Sequence, residues 1–260
     1  MFVMGDIHGQ FDKMCAALLM VGLIDPAYNW LGGPAVLWFM GDYFDRGPDG
    51  IAAIDLIRAL QDQAAAAGGR VGALLGNHDV LILAAQRFGD RPSGGSGGTF
   101  LSSWRNNGGE AADLARLTPE RVAWLRSQPA LALESGRLLA HADATFYQVY
   151  GRTIEAVNRS LRDLLQSDDA RAWDLLLDYF SQRRAFQDRD LGPARVSRVL
   201  ALYGGRQLVH GHTPIPKLSD LKPQDVTAPH VYADGLAIDV DAAMYMGGPG
   251  FVAYLPDDES

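Results

Sequence analysis

The chain has 260 residues, 48% of them hydrophobic and 21% charged, the make-up of a globular protein with a sizeable core. A formal net charge of -8 works against sequence-independent binding to nucleic acid, whose affinity rests on Lys and Arg neutralising phosphates. The longest apolar stretches, around residues 16–24 and 35–40, fall well short of the roughly 18 residues a membrane span needs.

Short apolar runs alternate with helical periodicity in the first third. Residues 2–4 read as a strand, 11–21 as a helix, 35–40 as a buried strand, 51–64 as a helix and 71–75 as a strand. This βαβα order implies a largely parallel sheet, whose ligands collect outside the carboxyl ends of the strands. The run S-G-G-S-G-G at 93–98 has a linker's composition and predicts a mobile surface loop with no chemistry. Thr118-Pro119-Glu120 supplies an N-cap, a first-turn proline and an early acid for a helix through Leu125. Residues 131–133 and 138–140 read as strands joined at Ser135-Gly136. From 153 to 203 the periodicity is mostly helical, an insertion of about three helices between two sheet strands. Strands return at 207–209, 231–233, 236–240 and 251–255, with a hairpin turn at Asp234-Gly235. The expected organisation is one domain over 1–260.

Five polar segments follow predicted strands: Gly5-Asp6-Ile7-His8-Gly9, Gly41-Asp42-Tyr43-Phe44-Asp45-Arg46-Gly47, Gly76-Asn77-His78-Asp79, His141-Ala142-Asp143 and His210-Gly211-His212-Thr213. They concentrate carboxylate, imidazole and amide groups at one sheet edge. Hard divalent ions such as Mg²⁺ and Mn²⁺ take oxygen ligands, and imidazole extends the choice to Fe or Zn. Singly, each segment has an ordinary explanation. Asp6 and His8 could cap the helix near Phe11, G-N-H-D could be a turn, and His141 or His212 could be a hydrogen-bonded structural histidine. Independent turns and caps have no reason to recur at five successive strand ends, so the joint occurrence points to two metals. The glycines ahead of Asp6, Asp42 and Asn77 are expected to take positive φ and aim the next side chain inward.

G-D-I-H-G, G-D-Y-F-D-R-G, G-N-H-D, H-A-D and G-H-T, in this order, resemble the phosphoprotein phosphatase family of the calcineurin-like metallophosphoesterases, with a match from Gly5 to about Tyr254. The resemblance implies an α/β four-layer α/β/β/α sandwich of two mixed sheets, with the helical insertion shaping substrate access. It implies that Asp6 and His8 bind a first metal, that Asp42 bridges both, and that Asn77, His141 and His212 bind the second. Two cations about 3.5–4 Å apart repel strongly, which makes a shared anion reasonable. A water between the metals would be the nucleophile, attacking in line without a phosphoenzyme. His78 matches the proton donor to the leaving group, and Asp45 the acid that orients it and keeps it charged. Arg46 matches a phosphate-clamping arginine, with Asn77 a further phosphate contact. Arg183 and Arg184 lie near where relatives carry a second phosphate-binding arginine. The residues do not choose between them, and a solvated helical face would explain either; Arg184 is carried forward as the candidate.

The chain also departs from the family pattern. Asp79 stands where eukaryotic protein phosphatases have Glu, and Ala142-Asp143 where they have two glycines; both variants resemble the bacterial and phage branch. Pro214 stands where broader metallophosphoesterases carry the second histidine of G-H-x-H, which favours the phosphatase branch over nuclease-like relatives. His210 shares a strand face with His212 and reads as a core or supporting residue.

The expectation is a phosphomonoester hydrolase of the serine/threonine protein phosphatase type. It would use two Mn²⁺-like ions, with Fe, Zn or Mg as alternatives, on a phosphorylated protein or small phosphoester. A diadenosine tetraphosphate hydrolase is the nearest rival, because bacterial members of that branch share G-N-H-D followed by an apolar helix, here residues 80–85. A non-catalytic protein on the same fold would lack a ligand or the acid, and all are present. A single cysteine, Cys15, and no signal-peptide pattern behind the initiator Met fit a reducing cytoplasm.

Overall fold

A computed structural model describes residues 1–94 and 98–256. Its elements run β1 (Phe2–Met4), α1 (Phe11–Met20), β2 (Val36–Phe39), α2 (Gly50–Ala66), β3 (Arg70–Ala73), α3 (Asn77–Phe88), α4 (Phe100–Asn106), α5 (Ala111–Ala115) and α6 (Pro119–Ser127). There follow β4 (Leu131–Glu134), β5 (Arg137–Ala140), α7 (Tyr147–Tyr150), α8 (Ile154–Gln166), α9 (Ala170–Phe180), α10 (Gly192–Tyr203), β6 (Gln207–His210), β7 (His230–Tyr232), β8 (Ala237–Asp239) and β9 (Ala253–Tyr254).

The strands form two mixed sheets, ordered β3-β2-β1-β9 and β4-β5-β6-β8-β7. In the first, β1, β2 and β3 are parallel and β9 is an antiparallel edge. In the second, β5, β6 and β8 are parallel, with β4 and β7 antiparallel beside them. The apolar run of β2 is explained by burial of Leu37, Trp38 and Phe39, the pattern of a parallel strand covered on both faces.

The five polar segments therefore do not share one sheet edge. Three leave the first sheet and two leave the second. Periodicity reports burial but not pairing, so it could not divide the strands between sheets. What joins the two sets is contact across the sheets: His141 Nδ1 donates to Met40 O at 2.8 Å, and Leu75 N to Pro129 O at 2.9 Å.

The insertion between β5 and β6 holds α8, α9 and α10, as expected. Val157, Leu161 and Leu165 are buried at four-residue spacing on α8, after an N-cap in which Thr153 accepts from Ala156 N. The short helices α4, α5 and α7 carry too little periodicity to be read from sequence. Of the Ser93–Gly98 run, residues 95–97 lie outside the described residues. Ser93 and Gly94 are tied down, both bonding Asp174, so the flank is not free. Among the described residues no helix is long and apolar enough to cross a membrane.

Candidate active site

Asp6 and His8 follow β1, Asp42 to Arg46 follow β2, Asn77 and His78 open α3 behind β3, His141 follows β5 and His212 follows β6. The fold brings all of them together. Asp42 is central: its Oδ2 lies 3.6 Å from His8 Nε2 and its Oδ1 lies 3.4 Å from His141 Nε2. Two sets of ligand-capable atoms result, His8–Asp42–His78 and Asp42–His141–His212, sharing Asp42. Asp6 Oδ2 is 3.9 Å from His8 Nε2. Asn77 Oδ1 is 3.0 Å from His141 Nε2 and 2.8 Å from His212 Nδ1.

The backbone at the site is strained, and the strain falls on the functional residues themselves. His8, Asp42, Asp45, Arg46 and His212 have φ of 47, 54, 70, 67 and 68°, a region that costs non-glycine residues of order 1–3 kcal/mol each. This corrects the reading of the glycines. Of Gly5, Gly41 and Gly76, only Gly41 has positive φ, at 99°. Gly5 and Gly76 are required for close approach instead: a Cβ on Gly5 would sit 2.1 Å from Val240 O, and one on Gly76 would sit 2.3 Å from Asp42 N. The strained loop is held by Asp79, whose buried carboxylate accepts from Gly76 N, Asp42 N and Tyr43 N at 2.8, 3.0 and 2.9 Å.

The chemistry of the donor set can be tested against a divalent cation. His8 Nδ1 donates to Phe44 O at 2.9 Å and His141 Nδ1 to Met40 O, so in the neutral ring the Nε2 lone pair of each faces the cluster. Burial is the main cause lowering the pKa of His8, His141 and His212, which keeps the rings neutral. Opposite them stand carboxylate and amide oxygens, and His212 Nε2 is buried without a partner. Burial alone would raise the pKa of Asp42; the charge that His141, His78, His8 or His212 carries when protonated acts against this and lowers it below the ordinary carboxylate range. Asp6 is pushed the other way, by burial and then by the charges of Asp241 and Asp42. Lone pairs aimed at one another repel; a divalent cation between them makes every such contact favourable. The residues fit two such ions.

Beside this cluster, His78 Nδ1 lies 2.6 Å from Asp45 Oδ2, and Trp104 Nε1 donates to Asp45 Oδ1 at 2.7 Å. Arg46 Nη1 donates to His8 Nε2 at 2.9 Å and Nη2 to His78 Nε2 at 2.8 Å, while its guanidinium stacks 4.4 Å over the Tyr245 ring. Of the paired arginines, Arg183 is the one whose charge acts on His141, His212 and Asp241. Arg184, carried forward from the sequence, contributes its backbone: its N–H donates to Asp143 Oδ2 at 2.7 Å with φ at 63°. Asp143 Oδ1 also accepts from Thr213 Oγ1 at 2.6 Å, tying the insertion to the G-H-T loop. His210 is buried, donating from Nδ1 to Gly211 O and accepting from Tyr232 Oη at Nε2, a supporting position.

Sequence reasoning missed Trp104, Tyr245, Lys217 and Asp241. Nothing local marks Trp104, which lies 59 residues from Asp45. Asp241 could have been found, since it follows β8 in the same way that the five segments follow their strands.

The family model described as calcineurin-like phosphoesterase matches residues 1–216, and the chain belongs to that family. It is 33% identical over 79 residues to Shewanella-like protein phosphatase 2 of Arabidopsis thaliana, 30% of this chain and 20% of that protein. It is 28% identical over 186 residues to the symmetrical bis(5'-nucleosyl)-tetraphosphatase of Cronobacter sakazakii, 68% of this chain and 53% of that one. The chain thus spans between a fifth and about half the length of these curated relatives. Among solved structures, a cold-active protein tyrosine phosphatase superposes with a TM-score of 0.72 at 22% identity, covering 96% of this chain and 72% of that one. That likeness concerns the fold.

Proposed function

We propose that this chain hydrolyses phosphate esters at a two-cation centre. The observation that carries the reading is Asp42, one carboxylate shared between two sets of ligand atoms, with an oxygen 3.6 Å from His8 Nε2 and another 3.4 Å from His141 Nε2. Asp6 and His8 would hold the first cation with Asp42, and Asn77, His141 and His212 the second. Two divalent cations, with Mn²⁺ the first candidate, supply an activated water near neutral pH and neutralise phosphate oxygens when bound.

The chain's own groups do the rest. Arg46 spans His8 and His78, and clamping a phosphate with its planar fork requires it to release both. His78 Nε2 then faces the leaving-group oxygen as proton donor, with Asp45 fixing the ring from Nδ1. Arg183 replaces Arg184 as the second phosphate-binding arginine, because its charge is the one felt by His141 and His212. The insertion brings it there: Phe180 at the end of α9 lies 6.3 Å from the His141 ring.

The substrate read from these groups is a phosphomonoester on a protein or small molecule, of the serine/threonine protein phosphatase type. A second reading, a dinucleoside polyphosphate, is supported by the bis(5'-nucleosyl)-tetraphosphatase relatives and by Lys217. Burial and then Arg183, Arg184 and Arg46 lower the pKa of Lys217, so cations crowd one rim where a second phosphate would be welcome. The test incubates Mn²⁺-loaded protein with p-nitrophenyl phosphate, a phosphoserine peptide and diadenosine tetraphosphate. Faster turnover of the peptide supports the first reading and of the dinucleotide the second. Asp42→Asn is expected to lose at least 100-fold of either activity; no turnover of any substrate, or an unchanged rate in that variant, refutes the site.

A further inference from the structure

β6 and β8 are parallel neighbours with His210 opposite Asp239, and both chains leave the sheet together. Two residues on, one presents His212 and the other Asp241. Asp241 is 1% exposed. Its Oδ1 accepts from Ala243 N at 2.9 Å, while its Oδ2 is buried and has no hydrogen-bond partner among the described residues. The loop of Asp6 touches it, since a Cβ on Gly5 would lie 2.9 Å from Asp241 Cα. Its backbone O is fixed by Ile215 N at 3.1 Å, behind the G-H-T segment. Among the charges that act on Asp6, that of Asp241 ranks ahead of Asp42.

A buried carboxylate oxygen is normally hydrogen-bonded or paired. Here Asp241 Oδ2 has neither, although Arg46 and Arg183 are close enough to act on it. Asp239 Oδ2 is also unpartnered among the described residues, but Asp239 is still paired in β8, opposite His210, with its Oδ1 3.9 Å from His210 Nδ1. Asp241, against the Asp6 loop, thus adds a third buried carboxylate to Asp6 and Asp42, which flank His8, a hard-oxygen set with one imidazole suited to a divalent cation.

We propose that Asp241 is a further ligand of the first cation, joining Asp6, His8 and Asp42. The inference rests on the two-cation reading above and adds a ligand to it. Three carboxylates and one imidazole bias that position toward Mn²⁺ over Zn²⁺, in contrast to the second position with its two imidazoles.

Mn²⁺ titration of the metal-free full chain, followed by calorimetry and by electron paramagnetic resonance of free Mn²⁺, tests this. Wild type is expected to bind two ions per chain. Asp241→Asn keeps an acceptor for Ala243 N and is expected to retain one ion at wild-type affinity while the other weakens at least tenfold, in line with losses for metal-site side chains. Asp241→Ser, which keeps an oxygen but is too short to reach the cation, replaces it if the Asn variant fails to fold by circular dichroism, with the same expected outcome. Two ions at wild-type affinities in the variant overturn the proposal. If Asp42→Asn then loses both ions, the two-cation reading survives alone; if wild type binds none, both fall.

Discussion

Trp104→Phe isolates the hydrogen bond that anchors the proposed acid. Asp45 is fully buried, with Oδ2 on His78 Nδ1 at 2.6 Å and Oδ1 on Trp104 Nε1 at 2.7 Å. Phe keeps a ring in place and removes the N–H. A hydrogen bond to a charged group contributes about 1.5–3 kcal/mol, and the smaller ring adds about 1 kcal/mol for the void it leaves. Stability by urea denaturation is therefore expected to fall by about 2.5–4 kcal/mol. In turnover, the anchor matters only while His78 delivers a proton. Expressing about half of the bond at that step, about 0.75–1.5 kcal/mol, slows the reaction about four- to twelvefold. That loss is expected for an alkyl phosphate, whose leaving group needs the proton, and should be under about threefold for p-nitrophenyl phosphate, whose leaving group departs without it. His78→Asn should show the same asymmetry more strongly. Equal losses on both substrates, or none on either, would refute the assignment of His78 and Asp45.

Gly76→Ala places a methyl 2.3 Å from both Asp42 N and Asp42 Oδ1. Because φ at Gly76 is -100°, backbone strain contributes nothing. Overpacking should cost about 1–3 kcal/mol and weaken Mn²⁺ uptake, both read by denaturation with and without metal. Arg183→Met should raise the inhibition constant of inorganic phosphate about tenfold, the equivalent of about 1.4 kcal/mol, and Arg184→Met should change it little. The reverse order would restore Arg184 as the phosphate ligand. The metal-free protein should lose stability as pH rises from about 6.5 to 8. Burial is the main cause raising the pKa of Asp6, and of Asp241 to about 7, so the folded state holds protons that the unfolded chain has released. Raising the pH then favours unfolding until the folded values are passed. Below about 6.5 the buried neutral histidines oppose this, because unfolding lets them take up protons. A melting temperature in EDTA that stays flat or rises between pH 6.5 and 8 would contradict the buried-acid account, and Mn²⁺ should abolish the dependence.

Local sequence was enough for the chemistry of single strand ends. Asp-x-His after β1, Asp after β2, Asn-His after β3 and a histidine after β5 and β6 each follow an apolar run that must be buried, so side chains just beyond the run emerge at a strand's carboxyl end. The three insertion helices were legible for a similar reason, since Val157, Leu161 and Leu165 repeat with the period of a helix face. Tertiary structure decided everything that depends on which surfaces meet. It divided the strands between two sheets and put Met40 O against His141. It set Trp104 on Asp45 across 59 residues, held Arg184 in a left-handed turn on Asp143, and brought Asp241 beside Asp6. A one-dimensional pattern records whether a residue is buried; the identity of its neighbour depends on chain crossings that no local period encodes.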